Sequence, residues 1–164
     1  MMRDMKFALA AVAAAAVSVI AYAQTTPNRP EQDTAWLNQQ AAALASRQAA
    51  DGWVWMEGGL RWRRVAGDGT GPKPSVRDTV TLHYAGTLVD GTEFDSSYRR
   101  NQPATFPLGQ LIPAWQMAVP HMSVGDTFEL AVPADLGYGP RGQGPIPGGA
   151  TLLFKIELLG IRGR

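Results

Sequence analysis

The spacing of apolar residues changes at residue 52 and divides the chain into a helical part and a longer part of strand-like segments. Beyond that point apolar and polar residues alternate, a pattern typical of β-strands that bury one face. Val80, Leu82 and Tyr84 share one face of such a segment, and His83 lies on the other. The pattern predicts a half-buried strand with Tyr84 directed into the core.

Further strands are predicted wherever a short apolar or alternating run is bounded by turn residues. They comprise residues 53–56, 60–65, 87–89, 92–94, 127–132 and 151–159. Asp90 and Gly91 separate two of these runs and predict a two-residue hairpin turn. Residues 137–149 are rich in glycine and proline, so they predict a long surface loop between the last two strands.

A helix is predicted near the N-terminus of this pattern. It would begin at Asp33 or Thr34, either of which can cap it, and run to about residue 50, where Gly52 would end it. Its weak apolar stripe comprises Trp36, Leu37, Ala41, Leu44, Ala45 and Gln48. Such a helix would lie on the main domain, or it would serve dimerisation or contact with a client protein.

A second, short helix is predicted at residues 112–119. Pro113 would occupy its first turn, where a missing N–H costs nothing, and Pro120 would close it. The N–H of Ile112, at the start of this helix, would have no acceptor within the helix. One short helix among many strands predicts an α+β fold in which the helix covers one face of an antiparallel sheet.

The first 23 residues predict a secretory signal peptide. Arg3 and Lys6 precede an almost wholly apolar run at 7–20, and Ala21 and Ala23 provide small residues where a signal peptidase cleaves. The alternative is a retained membrane anchor, but the run is shorter than the ~20 residues that comfortably span a bilayer. We therefore predict cleavage after Ala23 and a periplasmic mature protein.

Composition and charge narrow the possible functions. Of 164 residues 45% are hydrophobic, which suffices for one packed domain, predicted at 53–164 after a linker and helix at 24–52. The signal peptide, residues 1–23, holds two of 15 basic and one of 14 acidic residues, leaving 13 of each. The balance gives no general attraction for nucleic acid or anionic lipid. Because the chain has no cysteine, disulfides, thiolate metal sites and a cysteine nucleophile are excluded.

The candidate chemistry lies in a set of aromatic residues, Tyr84, Phe94, Phe106, Trp115 and Tyr138. No evident nucleophile and base accompany them, and the two histidines are too few for a metal site. Residues 137–142 match G-x-G-x-x-G, but Gln-Gly-Pro-Ile-Pro follows where a phosphate site needs a helix. The set predicts an apolar pocket that binds and distorts a substrate without breaking covalent bonds.

Six blocks of sequence, in order and with compatible spacing, resemble FKBP-type peptidyl-prolyl cis-trans isomerases. They are Val-Thr-Leu-His-Tyr-Ala-Gly-Thr-Leu at 80–88, Asp-Gly-Thr-Glu-Phe-Asp-Ser-Ser at 90–97, Gln-Leu-Ile-Pro-Ala-Trp at 110–115, Met-Ser-Val-Gly at 122–125, Asp-Leu-Gly-Tyr-Gly at 135–139 and Ala-Thr-Leu-Leu-Phe at 150–154. The resemblance covers residues 58–161. The leader and helix that precede it resemble the periplasmic, Mip-like bacterial branch of the family.

The resemblance implies an FKBP-like fold, a five- to six-stranded antiparallel sheet wrapped around one short helix and preceded by the N-terminal helix. A pocket would lie between the sheet and the short helix. Its catalytic residues would be Tyr84, Asp95, Ile112 and Tyr138, and its substrate-binding residues Phe94, Phe106, Leu111, Trp115 and Phe154. Trp115 would form the floor and Tyr138 the rim, and the Ile112 N–H would donate to a substrate carbonyl.

The implied activity is rotation about X-Pro peptide bonds during folding of extracytoplasmic proteins, with no cofactor and no metal. Its partners would be proline-containing polypeptides and macrolide immunosuppressants, but neither nucleic acid nor, after cleavage, a membrane. Ala104 stands where family members often carry an aromatic residue, which implies a more open pocket wall. The chain would be a monomer, or a homodimer through the N-terminal helix. The alternative is a periplasmic chaperone or binding module with the same fold and little catalysis.

Overall fold

A computed structural model describes residues 32–163, so the predicted signal peptide and most of the linker lie outside the described residues. Within this range two α-helices and nine strands alternate with turns and single turns of 3-10 helix. In chain order they are α1 Thr34–Ala45, β1 Val54–Trp55, β2 Arg61–Ala66, β3 Thr79–Leu88, β4 Glu93–Ser96, β5 Ala104–Pro107, α2 Pro113–Ala118, β6 Thr127–Val132, β7 Gly142–Gln143, β8 Ile146–Pro147 and β9 Leu152–Ile161. Neither described helix has the length and apolar character needed to cross a bilayer.

Seven strands form one antiparallel sheet in the order β1-β2-β6-β9-β3-β4, and β5 also pairs with β3. The two longest strands, β3 and β9, pair along most of their length, with Tyr84 opposite Ile156 and Gly86 opposite Phe154. Strands β7 and β8 form a separate two-stranded ribbon. The predicted α+β fold with an antiparallel sheet is confirmed, and the strand count exceeds the expected five to six because residues 54–55 pair with β2.

The sheet buries one face against α2. On β3, Val80, Leu82 and Tyr84 are buried and alternate with half-buried neighbours, as the alternation predicts. Trp115 and Ala118 of α2 are buried in the same cluster. Removal of this apolar surface from water, at about 25 cal/mol per Å², is the main force that holds helix and sheet together.

Helix α1 is shorter than predicted, because it ends at Ala45 and not at residue 50. Gln48 has an extended backbone, with φ of −103° and ψ of 156°, which interrupts the helix before residue 50. The carbonyl of Arg47, just before it, accepts a hydrogen bond of 3.1 Å from the indole N–H of Trp55. The chain then forms one 3-10 turn at Ala49–Asp51. Gly52, with φ of 80°, ends this 3-10 turn, and not α1 as predicted.

The buried face of α1 also differs from the predicted stripe. Leu37 is 53% exposed, whereas Gln40, which the stripe omits, is only 7% exposed. Gln40 is buried because it bonds to the backbone of Thr151, a contact that no local pattern reveals. Helix α1 therefore lies on the rest of the protein, the first of the arrangements expected for it, but through a polar side chain.

The hairpin between β3 and β4 has three loop residues where the sequence predicted two. The N–H of Leu88 donates to the carbonyl of Thr92 at 2.9 Å, and the N–H of Gly91 donates back to Leu88 at 3.0 Å. Gly91 has φ of 89°, which fits the left-handed position that ends such a loop. The extra residue is Val89, which the sequence analysis assigned to the strand.

Candidate active site

All nine predicted site residues line one pocket between the sheet and α2. They are Tyr84, Phe94, Asp95, Phe106, Leu111, Ile112, Trp115, Tyr138 and Phe154. The pocket encloses about 320 Å³ of space, including its open mouth. Four strands, the start of α2 and the loop after β6 each contribute, so the pocket exists only in the folded chain.

The aromatic rings of the pocket form a continuous series of contacts, edge-to-face in three pairs and tilted between Tyr84 and Phe106. Trp115 lies at its centre, with ring centroids 5.3 Å from both Tyr84 and Phe154, at interplanar angles of 78° and 84°. Phe154 in turn meets Phe94 at 5.6 Å, and Tyr84 meets Phe106 at 6.3 Å. Such contacts add to the stability gained by burial and fix the ring orientations. The result is a rigid, apolar concave surface.

One glycine allows two of these rings to approach the sheet. A Cβ atom on Gly86 would lie 2.5 Å from the ring of Phe94 and 2.8 Å from the ring of Phe154. Real Cβ contacts are essentially never below 3.0 Å, so any side chain here would displace the pocket wall. The sequence analysis gave Gly86 no role, because a glycine within a strand pattern does not reveal which rings pack over it.

The start of α2 leaves one backbone donor open in the pocket. Ile112 caps the helix, Pro113 occupies its first position, and the Ile112 carbonyl accepts from the N–H of Trp115 at 3.0 Å. Among residues 32–163 no oxygen accepts a hydrogen bond from the N–H of Ile112 itself. The side chain of Gln116 donates to the Leu111 carbonyl at 2.7 Å and so fixes the preceding residue. A ligand carbonyl can therefore bond to this N–H without displacing a protein partner.

A polar triangle closes one side of the pocket. The Tyr84 hydroxyl donates to Asp95, and Arg100 donates both to Asp95 and, at 3.0 Å, to the Tyr84 oxygen. Burial, together with the hydrogen bond to Asp95, raises the pKa of Tyr84 to about 12, so its hydroxyl stays protonated. The bond to Asp95 raises the pKa of Arg100. Sequence reasoning missed Arg100, since nothing local distinguishes it from Arg99, which pairs with Glu93 outside the pocket.

Tyr138 differs from Tyr84 in having a free hydroxyl. It lies in the loop between β6 and β7, and within the described residues its hydroxyl makes no hydrogen bond. Burial raises the pKa of Tyr138 to about 12, with a further contribution from the charge of Asp95. The hydroxyl is therefore a neutral donor over the pH range in which proteins are stable.

The arrangement suits binding and distortion better than covalent chemistry. The pocket contains hydroxyl and carboxylate groups, but the carboxylate of Asp95 is already bonded to Tyr84 and Arg100. Ile112, whose N–H is open, and Tyr138, whose hydroxyl makes no hydrogen bond within the described residues, both line this largely apolar cavity. Such donors can hold an acceptor oxygen in a fixed position while the aromatic rings exclude water from it.

The family model for FKBP-type peptidyl-prolyl cis-trans isomerases matches residues 71–159, more than half of the chain. The chain belongs to this family. The matched range includes every residue of the pocket, from Tyr84 to Phe154. The family resemblance noted in the sequence blocks is thereby confirmed.

Individual members of the FKBP family are similar over most of this chain. FKBP-type peptidyl-prolyl cis-trans isomerase FkpA of Aeromonas hydrophila is 48% identical over 118 residues, which cover 72% of this chain and 44% of that protein. Outer membrane protein MIP of Legionella longbeachae is 46% identical, over 74% of this chain and 52% of that protein. The chain therefore spans about half the length of these relatives. Mouse peptidyl-prolyl cis-trans isomerase FKBP2 is 44% identical, over 75% of this chain and 88% of that protein.

Solved FKBP-family structures have the same fold. The crystal structure of a peptidyl-prolyl cis-trans isomerase from Pseudomonas syringae pv. tomato superposes with a TM-score of 0.70 at 34% identity, covering 77% of this chain and 93% of that one. FkpA from Escherichia coli superposes with a TM-score of 0.69 at 35% identity, covering 76% of this chain and 59% of that one. The FKBP-like assignment of the fold is confirmed.

Proposed function

We propose that this protein is a peptidyl-prolyl cis-trans isomerase that accelerates rotation about X-Pro bonds in polypeptides. The observation that carries the proposal is the pocket itself, in which an aromatic surface surrounds two unpaired hydrogen-bond donors. Membership of the FKBP family supports the same activity. The chain needs no nucleophile for this reaction, because no covalent bond is broken.

The barrier explains why an apolar pocket is sufficient. Resonance stiffens the peptide C–N bond and sets a rotation barrier of ~18–20 kcal/mol. For X-Pro the two isomers differ by only about 0.5–1 kcal/mol, so the task is kinetic. Water stabilises the planar, charge-separated amide. The rings around Trp115 remove that water and so favour the less polar, twisted form. Lowering the barrier by about 7 kcal/mol would accelerate rotation by roughly five powers of ten.

The open donors would hold the twisted bond in the pocket. We assign the Ile112 N–H to a substrate carbonyl and the Tyr138 hydroxyl to a second acceptor at the rim. Tyr84 and Asp95 would act as a pair, because Asp95 fixes the hydroxyl of Tyr84 and Arg100 fixes both. Phe94, Phe106, Leu111, Trp115 and Phe154 would form the surface that receives the proline ring.

We further propose that the substrates are folding polypeptides in the periplasm and that macrolides compete for the same pocket. The periplasmic assignment is supported by the signal-peptide pattern of residues 1–23. Macrolide binding is supported by the apolar lining and by the family, and the small residue Ala104 would leave one wall open. Homodimerisation through α1 would have to use its outer face, because Gln40 and Trp36 are engaged within the chain.

The first test compares two Trp→Ala variants in a proline-peptide isomerisation assay on the purified protein. Trp115→Ala removes the floor of the pocket and should lower kcat/KM by about tenfold or more. Trp62→Ala is the matched control, because Trp62 also packs against the core but lies outside the pocket. It should leave kcat/KM unchanged. Equal activity in both variants would contradict the pocket assignment.

Trp115 is only 4% exposed, so Trp115→Ala also lowers the stability of the fold. A second variant therefore tests the pocket with a smaller change. Tyr138→Phe keeps the ring and removes only the free hydroxyl, so the fold should be intact. We expect kcat/KM to fall roughly fivefold, as loss of a hydrogen bond worth ~1 kcal/mol implies. A wild-type protein that does not accelerate isomerisation, yet suppresses aggregation of an unfolded client, would favour the chaperone alternative.

A further inference from the structure

Helix α1 is attached to the base of the loop that carries Tyr138. The side-chain oxygen of Gln40 accepts a hydrogen bond of 2.8 Å from the backbone N–H of Thr151. The hydroxyl of Thr151 donates to the carbonyl of Gln40 at 3.4 Å. Both residues are buried, with 7% and 3% of their surface exposed. A polar contact shielded in this way is specific, because either group left unpaired would cost free energy.

Two further contacts join α1 to the same place. The side-chain amide of Gln32, just before the helix, donates to the carbonyl of Gly148. The indole ring of Trp36 lies 3.6 Å from the position that a Cβ atom on Gly149 would occupy. Gln40, Trp36 and Gln32 thus contact three of four consecutive loop-stem residues, 148–151.

The two stems of the loop are tied to each other. The N–H of Gly149 donates to the carbonyl of Gly139 at 2.8 Å. Gly148 lies so close to the other stem that a Cβ atom there would be 2.0 Å from the carbonyl oxygen of Pro140. Tyr138 is adjacent to Gly139, so a displacement of the stem at 148–151 is passed through one hydrogen bond to the residue that rims the pocket.

The opposite end of α1 is attached to the sheet edge. The Trp55 indole donates to the Arg47 carbonyl at 3.1 Å, and the Arg47 guanidinium lies 5.3 Å from the ring centroid of Trp53. A helix of 12 residues is marginal in water by itself, so α1 depends on these attachments. It therefore spans from β1 to the loop as a fixed strut.

We propose that α1 is a brace for the pocket and that Gln40 is a positioning residue for Tyr138. The hydroxyl of Tyr138 has no partner of its own, and the loop that carries it is rich in glycine. The ring of Tyr138 packs against the core and its carbonyl accepts from the N–H of Gly142 at 3.1 Å, and the stem adds a further support, to which α1 supplies contacts from outside the pocket. This inference rests on the proposed isomerase function only for its effect on turnover.

The test uses three substitutions in the full chain. Gln40→Met removes the acceptor for Thr151 while keeping the side-chain size, and Gln40→Glu restores an acceptor oxygen. Gln39→Met is the matched control on the exposed side of the same helix. The first readout is hydrogen exchange at the Gly149 amide, measured by NMR. The second is the split of isomerase activity between kcat and KM.

We expect Gln40→Met to speed exchange at the Gly149 amide by at least about fivefold, the lower limit for losing a buried partner. Amides of the β3–β9 pairing should keep their protection, because the sheet does not depend on Gln40. The value of kcat/KM should fall by roughly three- to tenfold. Gln40→Glu should recover most of both effects, and Gln39→Met should change neither.

Three results would contradict the proposal that α1 braces the pocket. They are unchanged exchange at Gly149 in Gln40→Met, exchange accelerated equally throughout the sheet, and faster exchange at Gly149 with unchanged kcat and KM. If the wild-type protein shows no isomerase activity, the proposed function fails. The exchange pattern then still decides whether α1 holds the loop. Trp36→Ala gives a second, independent disturbance of the same stem and should repeat the local exchange pattern.

Discussion

At the scale of single residues, the shape of the pocket depends on Gly86, which has no Cβ atom. The rings of Phe94 and Phe154 meet over the bare Cα of Gly86, at distances that leave no room for a methyl group. Gly86 pairs with Phe154 across the β3–β9 ladder, so the backbone itself brings the second ring there. The pocket wall is thus set by a residue that contributes no side chain to it.

Gly86→Ala should therefore impair both activity and stability. The added methyl group would push one or both rings out of their edge-to-face contact, and overpacking of this kind costs about 1–3 kcal/mol. We expect kcat/KM for a proline peptide to fall by about tenfold. The control is Gly160→Ala on β9, where no atom lies within 4 Å of the new Cβ. Equal activity of the two variants would show that the rings can move aside without consequence.

At the scale of elements, the sequence was informative where the determinants are local. The alternation at Val80, Leu82 and Tyr84 predicted β3, and Pro113 predicted the start of α2. Predictions from the sequence were wrong where a residue distant along the chain determines the local structure. Helix α1 ends early because the backbone becomes extended at Gln48, and its buried face centres on Gln40 because that side chain bonds to Thr151, 111 residues further along the chain.

The same distinction holds for the site. Eight of its nine lining residues lie in the blocks that resemble the family, which already encode tertiary contacts, and Phe106 was predicted as a member of the aromatic set. Arg100, Gly86 and Gln40 were missed, because each acts through a partner that periodicity and turn chemistry do not reveal.

Just before β6, the buried carboxylate of Asp126 bonds to three segments of the chain. Asp126, which is 1% exposed, accepts from the N–H groups of Ser123 and Gly69 and pairs with Arg64 of β2 at 3.1 Å. It thereby connects the turn before β6 to the loop that follows β2. A neutral amide has one acceptor oxygen in place of two, so it loses at least one of these bonds and the charge that pairs with Arg64.

Asp126→Asn should destabilise the fold by about 3 kcal/mol, since it breaks a partly buried ion pair and leaves a buried N–H without an acceptor. Urea unfolding followed by fluorescence measures the change. Glu93→Gln is the matched control, because it neutralises an exposed ion pair with Arg99, 3.3 Å long, and should cost less than about 1 kcal/mol. Similar losses in the two variants would argue that Asp126 is not a structural junction.

At the scale of the whole molecule, three tyrosines make the free energy of unfolding depend on pH in the alkaline range. Burial raises the pKa values of Tyr84, Tyr98 and Tyr138 to about 12, from about 10 in an unfolded chain. Below pH ~10 both states keep these protons and their contribution is fully present. Between pH ~10 and ~12 the unfolded chain releases them first, so stability falls as pH rises.

Urea unfolding between pH 9 and pH 12 should reveal that fall. Tyr84→Phe removes one of the titrating groups, so its free energy of unfolding should decline less steeply than that of the wild type. Between pH 9 and pH 12 we expect the free energy of unfolding to fall by about 2 kcal/mol less in Tyr84→Phe than in the wild type. Parallel curves for the two proteins would contradict the assignment for Tyr84.

Strand β9 comes after every other strand in chain order, yet it lies between β6 and β3 in the sheet. It also carries Phe154, one wall of the pocket. A nascent chain therefore holds two groups of strands, β1-β2-β6 and β3-β4-β5, that do not pair with each other until β9 has been made. Any truncation upstream of β9 would yield a product with neither a continuous sheet nor a complete pocket.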